Sequence, residues 1–186
     1  MKVSDGEKLI LLMLSELYDQ LKVDGEIEAD FIRSAIFSNN LWAIPWKYSG
    51  IPFEDQDDPE IVKEVLDILD MWSLIEFSYG KLSEEDKEYL EKTVAPFGKD
   101  PKFPGFDGNN ESSHMGIASF IVNDLDRFEE FKGRNFNSHC PSLDGHERML
   151  SVFEDVRKSM NFGPLSVKDL ARILKERIHP SRRDDA

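Results

Sequence analysis

One segment constrains the fold more than any other: "DDPEIVKEVLDILDMWSLIEFSY", residues 57–79. Its apolar residues recur at spacings of 4, 3, 4, 3 and 4, which is the period of one α-helical face. These residues are Ile61, Val65, Ile68, Trp72, Ile75 and Tyr79. Beyond residue 70 the opposite face is apolar as well, at Met71, Leu74 and Phe77. A helix that is apolar on every side is buried on every side. The segment therefore predicts a long central helix from about Pro59 to Tyr79, with Trp72 buried.

The polar residues of this segment predict how the helix begins and which side meets solvent. Asp58 is a suitable N-cap, and Pro59 fits the first helical position because its missing N–H costs nothing there. The carboxylates recur at helical spacing, at Glu60, Glu64, Asp67 and Asp70. They lack the Glu-x-x-His partner of a di-iron bundle, so we interpret them as a solvated polar face. Asp70 lies among apolar neighbours, and we expect it to be buried and paired.

Six other segments show helical patterns, whereas no alternating strand of five or more residues is found. They lie at residues 4–21, 27–37, 82–94, 111–131, 143–160 and from 164 onwards. The first segment opens on a capping box between Ser4 and Glu7, and its apolar stripe is formed by Ile10, Leu14, Leu17 and Leu21. The pattern predicts an all-α fold: one compact domain of six or seven helices over residues 1–186, with a flexible tail at 179–186.

Charge and cysteine content restrict the classes of partner. The net charge is −14, which opposes binding to nucleic acids and to anionic membranes. Residues 165–183 are the basic exception, with six cations and two acids. The single cysteine allows neither an internal disulfide nor a multi-cysteine zinc site. No apolar run approaches the ~20 residues that span a bilayer. We therefore expect a cytoplasmic protein without cofactor, metal, nucleic acid or membrane.

The stretch "FPGFDGNNESSH", residues 103–114, is the strongest candidate for a site. Asp-Gly and Pro-Gly pairs are typical of turns, and Asn109 or Asn110 is a good helix N-cap. We predict a turn and cap, with Phe103 and Phe106 fixed in the core. The alternative is a ligand loop, in which polar residues of segments 103–114 and 135–146 converge. The candidate binding residues are Asp107, Asn110, His114, Asn137 and His139.

Two further patterns leave alternatives open. Cys140 lies close to His139 and His146, but a lone cysteine is more often an inert side chain than a nucleophile or ligand. Small or polar residues recur at spacings of 4, 3 and 4 along the helix predicted at 111–131. They are Ser112, Gly116, Ser119 and Asn123. This stripe is compatible with close packing inside the domain and with a subunit interface.

Three phrases give the chain a resemblance to a known family. They are "EVLDILDMWSLIE" (64–76), "GFDGNNESSHMGIASFIVNDLDRFEEFKGRNFNSH" (105–139) and "HERMLSVFE" (146–154). In this order they resemble the YfbU family of bacterial proteins, over about residues 5–176. The resemblance implies a cytosolic, mostly helical and oligomer-forming protein. It implies no reaction and assigns no residue a role.

Three hypotheses about function follow. The first is a helical interaction or regulatory protein that forms homo-oligomers and also binds a protein partner not yet identified. The second is a winged-helix-like DNA-binding regulator at residues 7–82, with "LIEFSYGKLS" (74–83) as a short wing. Only Arg33 and Lys47 supply cations between residues 26 and 50, which opposes it. The third is a hydrolase-like enzyme with its site at the two loops. The absence of a catalytic signature favours the first.

Overall fold

The helical segments predicted from the sequence are present in a computed structural model, which describes residues 2–54, 57–160 and 163–182. Over these residues the chain forms eight α-helices and two 3₁₀ turns, Glu129–Phe131 and Pro180–Arg182. The α-helices are α1 (Asp5–Leu21), α2 (Ala29–Phe37), α3 (Ala43–Lys47), α4 (Glu60–Tyr79), α5 (Glu84–Thr93), α6 (Ser112–Asn123), α7 (Leu143–Ser159) and α8 (Val167–Lys175). The described residues contain no β-strand, only one isolated bridge between Phe106 and Asn137.

The all-α prediction is confirmed, and the helix count exceeds the predicted six or seven by one. The additional element is α3, a five-residue helix between the segments in which the sequence predicts helices. Such a short helix escapes a periodicity test, because it completes little more than one turn. Of the predicted tail, residues 183–186 lie outside the described residues.

The helix α4 lies at the centre, as predicted. Val65, Ile68, Trp72 and Ile75 are fully buried, and α6, α7 and α8 pack around the helix. The expectation that the second half is buried on every side is wrong at Phe77, which is 53% exposed because no described helix covers that side. The helix begins at Glu60, one residue later than predicted, with Pro59 at the N-cap position. Asp58 is therefore not the cap.

Two polar groups near this helix also differ from expectation. Asp58 accepts a hydrogen bond from the Trp46 indole, Nε1 to Oδ1 at 3.1 Å, instead of capping the helix. Asp70 is paired as predicted, with Arg157 at 2.8 Å, but its side chain is 47% exposed. The prediction that Asp70 is buried is wrong, because the apolar residues beside it in sequence point to other sides of the helix.

Side-chain caps start three of the eight described helices, and left-handed backbone ends another helix earlier than predicted. Ser4, Ser83 and Ser166 each cap a helix through their hydroxyl oxygen, and Ser4 forms the predicted box with Glu7. The helix predicted at 111–131 instead ends at Asn123. Asp126 and Phe128 have φ angles of 52° and 54°, which is left-handed backbone that an α-helix does not accommodate.

A second, smaller core joins the N-terminal helices to the rest of the domain. It consists of Phe31, Ile32, Ala35, Ala43, Ile44 and Phe120. Phe120 belongs to α6, so its ring carries the contact between α2 and the main core; it lies 5.7 Å from the Phe31 ring. Trp42 and Leu125 touch both cores. The helices α1–α3 therefore form an outer layer on one side of the α4–α8 body.

Candidate functional site

The two candidate loops meet over the central helix. Phe103 and Phe106 are both buried in the core, as predicted. The Phe106 N–H donates to the Phe136 carbonyl at 2.8 Å, and the Phe106 carbonyl accepts from the Ser138 N–H at 3.0 Å. Gly105 allows this approach: its φ is 83°, and a Cβ there would lie 2.1 Å from the Phe136 oxygen. The first loop is thus bound to the second by backbone contacts.

Four of the five candidate binding residues come together at this junction. The Asn110 amide donates to Asp107, and His139 lies near enough to interact electrostatically with the same carboxylate. The Asn137 amide oxygen accepts from the N–H of Gly108 at 3.0 Å and of His139 at 2.9 Å. These polar atoms mainly bind each other and the loop backbone. A ligand role for them stays a prediction.

The predicted asparagine cap is wrong. At the start of α6 the N-cap position is occupied by Glu111, and no side chain caps the helix. Asp107 organises the turn instead: its Oδ1 accepts from the Asn109 N–H at 3.1 Å, two residues on. An aspartate that bonds in this way forms a turn of its own. The hydrogen bond from Asn110, followed by the one from Asn109, holds the pKa of Asp107 below its ordinary value.

Glu111 connects the two loops, a role that the sequence did not reveal. Its buried carboxylate accepts four hydrogen bonds of 2.8–2.9 Å, from the N–H groups of Asp107, Ser142 and Leu143 and from the Ser142 hydroxyl. Two of these donors lie at the start of α7, where N–H groups lack partners within the helix. Burial raises the pKa of Glu111, but the backbone hydrogen bonds outweigh it, so the pKa lies below its ordinary value.

His146 fixes the first loop to the central helix. Its Nδ1 accepts from the Trp72 indole at 3.1 Å, so Nε2 carries the proton and donates to the Gly105 carbonyl at 3.1 Å. Burial lowers the pKa of His146 to about 4, and the ring is neutral at pH 7. The sequence contained a signal for this position: His146 stands 3 residues before Met149 on the stripe that continues to Phe153 and Val156. A histidine on an apolar stripe is a candidate for a buried hydrogen-bonded group.

His114, the fifth candidate, pairs with α4, and its ring lies 5.5 Å from the Phe106 ring of the first loop. Its Nε2 lies 3.0 Å from the Glu64 carboxylate. Glu147 on α7 approaches the same carboxylate; burial and then the Glu64 charge raise the pKa of Glu147.

In the part of the chain that is described, no group of three or more histidine, cysteine, aspartate or glutamate side chains is arranged to hold a metal ion. Cys140 is exposed, with its thiol 3.5 Å from the Ser138 carbonyl.

A cleft of about 920 Å³ lies between α4 and α7. Most of its charged groups pair with one another, whereas Glu130 accepts a hydrogen bond from the Ser73 hydroxyl. Arg157 pairs with Asp70 at 2.8 Å, and Lys102 lies 3.5 Å from Glu76. Glu76 also binds Arg134 through both oxygens, at 2.7 and 2.9 Å. None of the five candidate residues lines this cleft, so it is separate from the loop junction.

The least expected surface is α1. An apolar stripe of a surface helix ordinarily faces the core, yet this one faces outward. Ile10, Leu14, Leu17 and Leu21 are 57%, 47%, 50% and 72% exposed. The helix packs on α2 through a narrow opposite side, where Ser15 is its only buried residue. We call the outward side the α1 face; it also includes Leu9, Met13, Tyr18 and Val23.

An apolar pocket continues the α1 face. It measures about 400 Å³, and Ile10, Ile27 and Ile51 lie at its edge while Ile32 and Ile44 form its floor. Of the thirteen large apolar side chains found exposed among the described residues, ten belong to the α1 face or to this edge. Exposed apolar surface is therefore concentrated on one side of the outer helical layer.

Comparison with known proteins identifies the family. A family model described as "YfbU domain" matches residues 1–176. The chain belongs to the YfbU family. A similar protein is "UPF0304 protein MJECS11" of Methanocaldococcus jannaschii, 33% identical over 95 residues, which are 48% of this chain and 53% of the relative. Another is a "UPF0304 protein" of Actinobacillus succinogenes, 23% identical over 179 residues, which are 94% of this chain and 99% of the relative.

Family membership confirms the resemblance seen in the sequence phrases, and it supplies no activity. The names of both relatives state neither a ligand nor a reaction. The match to M. jannaschii spans about half of that protein, and it shows that relatives are not confined to bacteria. Among the described residues of this YfbU chain, no helix is both long and apolar enough to cross a membrane.

Proposed function

We propose that this YfbU chain is a non-catalytic helical interaction protein that acts in the cytoplasm as a homo-oligomer. The observation that carries the proposal is the α1 face. Eight apolar side chains on α1 and the residues just after it are at least 37% exposed. Contiguous apolar patches of this kind mark protein interaction sites. Covering the face with protein removes that surface from water, which is the main driving force of association.

Electrostatics favours protein over membrane or nucleic acid as the occupant of this face. The chain carries a net charge of −14, and α1 itself contributes Asp5, Glu7, Glu16 and Asp19 against Lys8. Anionic lipids repel such a surface, whereas helices that lie on membranes are rich in lysine and arginine. A protein surface has no such charge requirement.

The DNA-binding alternative loses part of its wing, and its two cations are already paired. Residues 74–79, the start of the proposed wing, belong to helix α4 and not to a strand. Arg33 is paired with Asp19 and Asp30, and Lys47 is paired with Glu28 at 2.7 Å. Phosphate contacts need cations that are free to neutralise the backbone, and these two are already neutralised within the domain.

The loop junction favours a structural role over catalysis. Backbone N–H groups of the loops and of α7 donate hydrogen bonds to side-chain oxygens of Glu111, Asn137 and Asp107. A general base needs a free lone pair within reach of substrate. The five candidate residues therefore give less support to an enzyme than the α1 face gives to an interaction protein.

Sedimentation velocity of the full chain between about 1 and 100 µM, the range in which modest protein interfaces associate, tests the proposal. We expect oligomers for the wild type, and a monomer for the double variant Leu14→Glu/Leu17→Glu. The matched control is Tyr89→Glu on α5, because Tyr89 is 47% exposed, as Leu14 is. The control should sediment as the wild type does.

Circular dichroism distinguishes lost association from lost folding, since Leu14 and Leu17 are half exposed in the monomer. A strictly monomeric wild type over this range overturns self-association. Loss of association in Tyr89→Glu as well would show that added charge, and not the α1 face, governs the assembly.

A further inference from the structure

We propose that the occupant of the α1 face is α1 of a second copy, which lies antiparallel across a two-fold axis and forms a dimer. This inference rests on the proposed self-association and adds its geometry and its number of subunits. The seam of the α1 face consists of Ile10, Leu14, Leu17 and Leu21, at spacings of 4, 3 and 4. That is the spacing by which two helices interlock along a coiled-coil seam.

The available area matches what a dimer requires. A standard interface buries ~800 Å² per partner, of which somewhat more than half is apolar. Burying a leucine-sized side chain removes about 100 Å² of apolar surface, on the usual conversion of area to transfer free energy. The ten side chains of the α1 face and pocket edge are roughly half exposed, so they provide on the order of 500 Å² per copy. Six of the ten lie on or beside the seam, and a symmetric contact that also covers the flanking side chains Leu9, Val23, Ile27 and Ile51 uses this surface without a further partner.

Symmetry selects one register. With the two-fold axis between positions 15 and 16, Ile10 faces the partner's Leu21 and Leu14 faces the partner's Leu17. In the same register, Met13 faces the partner's Tyr18. Every seam residue thus meets an apolar residue, as an isologous interface requires. A shift of one turn would place Leu21 opposite Gly6 of the partner subunit and leave most of its surface in water.

Two physical effects favour the antiparallel orientation. Antiparallel neighbours place the positive end of one helix dipole beside the negative end of the other. A parallel pair would align the two dipoles and set Asp5 beside Asp5 of the partner subunit, which adds like-charge repulsion. The narrow side of α1 that packs on α2 points away from the seam, so the bodies of both copies lie outside the helix pair.

Disulfide cross-linking tests this geometry. All variants carry Cys140→Ser, because Cys140 is exposed. One protein carries Ile10→Cys and a second carries Leu21→Cys. In the antiparallel register the two positions are neighbours across the seam. Two copies of position 10 are separated by ~16 Å along the axis, from the 1.5 Å rise per residue, and a disulfide requires Cα atoms within about 7 Å.

Under mild oxidation, we expect a mixture of the two proteins to give a covalent dimer, at a yield on the order of tenfold above either protein alone. The double variant Ile10→Cys/Leu21→Cys, which needs no mixing, should cross-link as well. Cross-linking of Ile10→Cys with itself would show a parallel pair and overturn the proposal.

The remaining outcomes also decide between the two proposals. Oligomers in sedimentation without cross-links in the mixture or in the double variant overturn the antiparallel α1 pair and leave self-association intact. An oligomer larger than a dimer that forms through the α1 face overturns the closed two-fold arrangement. A monomeric wild type overturns both proposals.

Discussion

Replacing Glu111 by glutamine tests the connection between the two loops and α7. In the wild type, Oε1 accepts from the N–H groups of Ser142 and Leu143, and Oε2 accepts from the Asp107 N–H and the Ser142 hydroxyl. The glutamine oxygen can keep the α7 pair. Its NH₂ group then replaces Oε2, and although the Ser142 hydroxyl can rotate to accept, the Asp107 N–H cannot.

The magnitude follows from these contacts. A buried donor left without a partner costs ~1–3 kcal/mol, and hydrogen bonds to a charged acceptor weaken when the charge is lost. We expect Glu111→Gln to lower the free energy of unfolding by about 2–3 kcal/mol, from the same values. For a domain of this size each kcal/mol shifts the melting temperature by ~2–4 °C, so the midpoint should fall by about 5–10 °C.

Urea denaturation followed by circular dichroism measures the effect, with Glu88→Gln as the control. Glu88 is an exposed glutamate on α5, 3.6 Å from Lys92; the loss of such a surface pair should cost less than about 0.5 kcal/mol. The low pKa of Glu111 adds a second readout. A carboxyl group whose pKa is lowered in the folded state stabilises the protein at pH values above its unfolded pKa of 4.5, and this stabilisation is lost as the pH falls below that value. Equal losses in Glu111→Gln and Glu88→Gln would refute the reasoning.

Three other predictions concern the same core. Trp72→Ala should cost about 4 kcal/mol in urea denaturation, because it opens a cavity and removes the indole donor of a buried histidine. The pKa of His146 is about 4 in the folded state and 6.5 in the ordinary, unfolded case, so the unfolded state binds more protons between these pH values. The contribution of the neutral ring to the free energy of unfolding is therefore complete above pH 6.5, and about 1 kcal/mol of it should be lost between pH 7 and pH 5.5. A wild type without this loss, or a His146→Gln variant that retains it, would contradict the assignment. Asn110→Ala should cost only about 1 kcal/mol, since it removes one hydrogen bond to Asp107. Its melting temperature and that of the wild type should not respond to Ca²⁺ or Mn²⁺, and a cation response lost in the variant would make this loop a ligand site.

Local periodicity and capping chemistry were sufficient for much of the fold. The stripe through Val65, Ile68 and Trp72 determined a buried helix face, because an apolar period of this length must be covered by a core, although Phe77 on the opposite side stays 53% exposed. Ser4, Ser83 and Ser166 determined helix starts, because a hydroxyl oxygen that binds the N–H three residues on acts within one turn. The start of α4 was displaced by one residue, since Asp58 binds Trp46 instead. The competing partner lies twelve residues away and is invisible to a local pattern.

The tertiary structure alone decided where the loop residues and the first helix point. Asp107, Asn110 and Asn137 were grouped by their turn chemistry. Asp107 and Asn110 bind each other within the first loop, whereas the hydrogen bond from the Gly108 N–H to Asn137 exists only because the two loops cross. Glu111 is next to them in sequence, but its role depends on α7, thirty-one residues later. For α1, the sequence determined an apolar stripe and not what covers it. A hydrophobic period is the same whether the apolar side packs on the chain's own core or on another molecule, and only the placement of α1 on α2 left Leu14 and Leu17 outside.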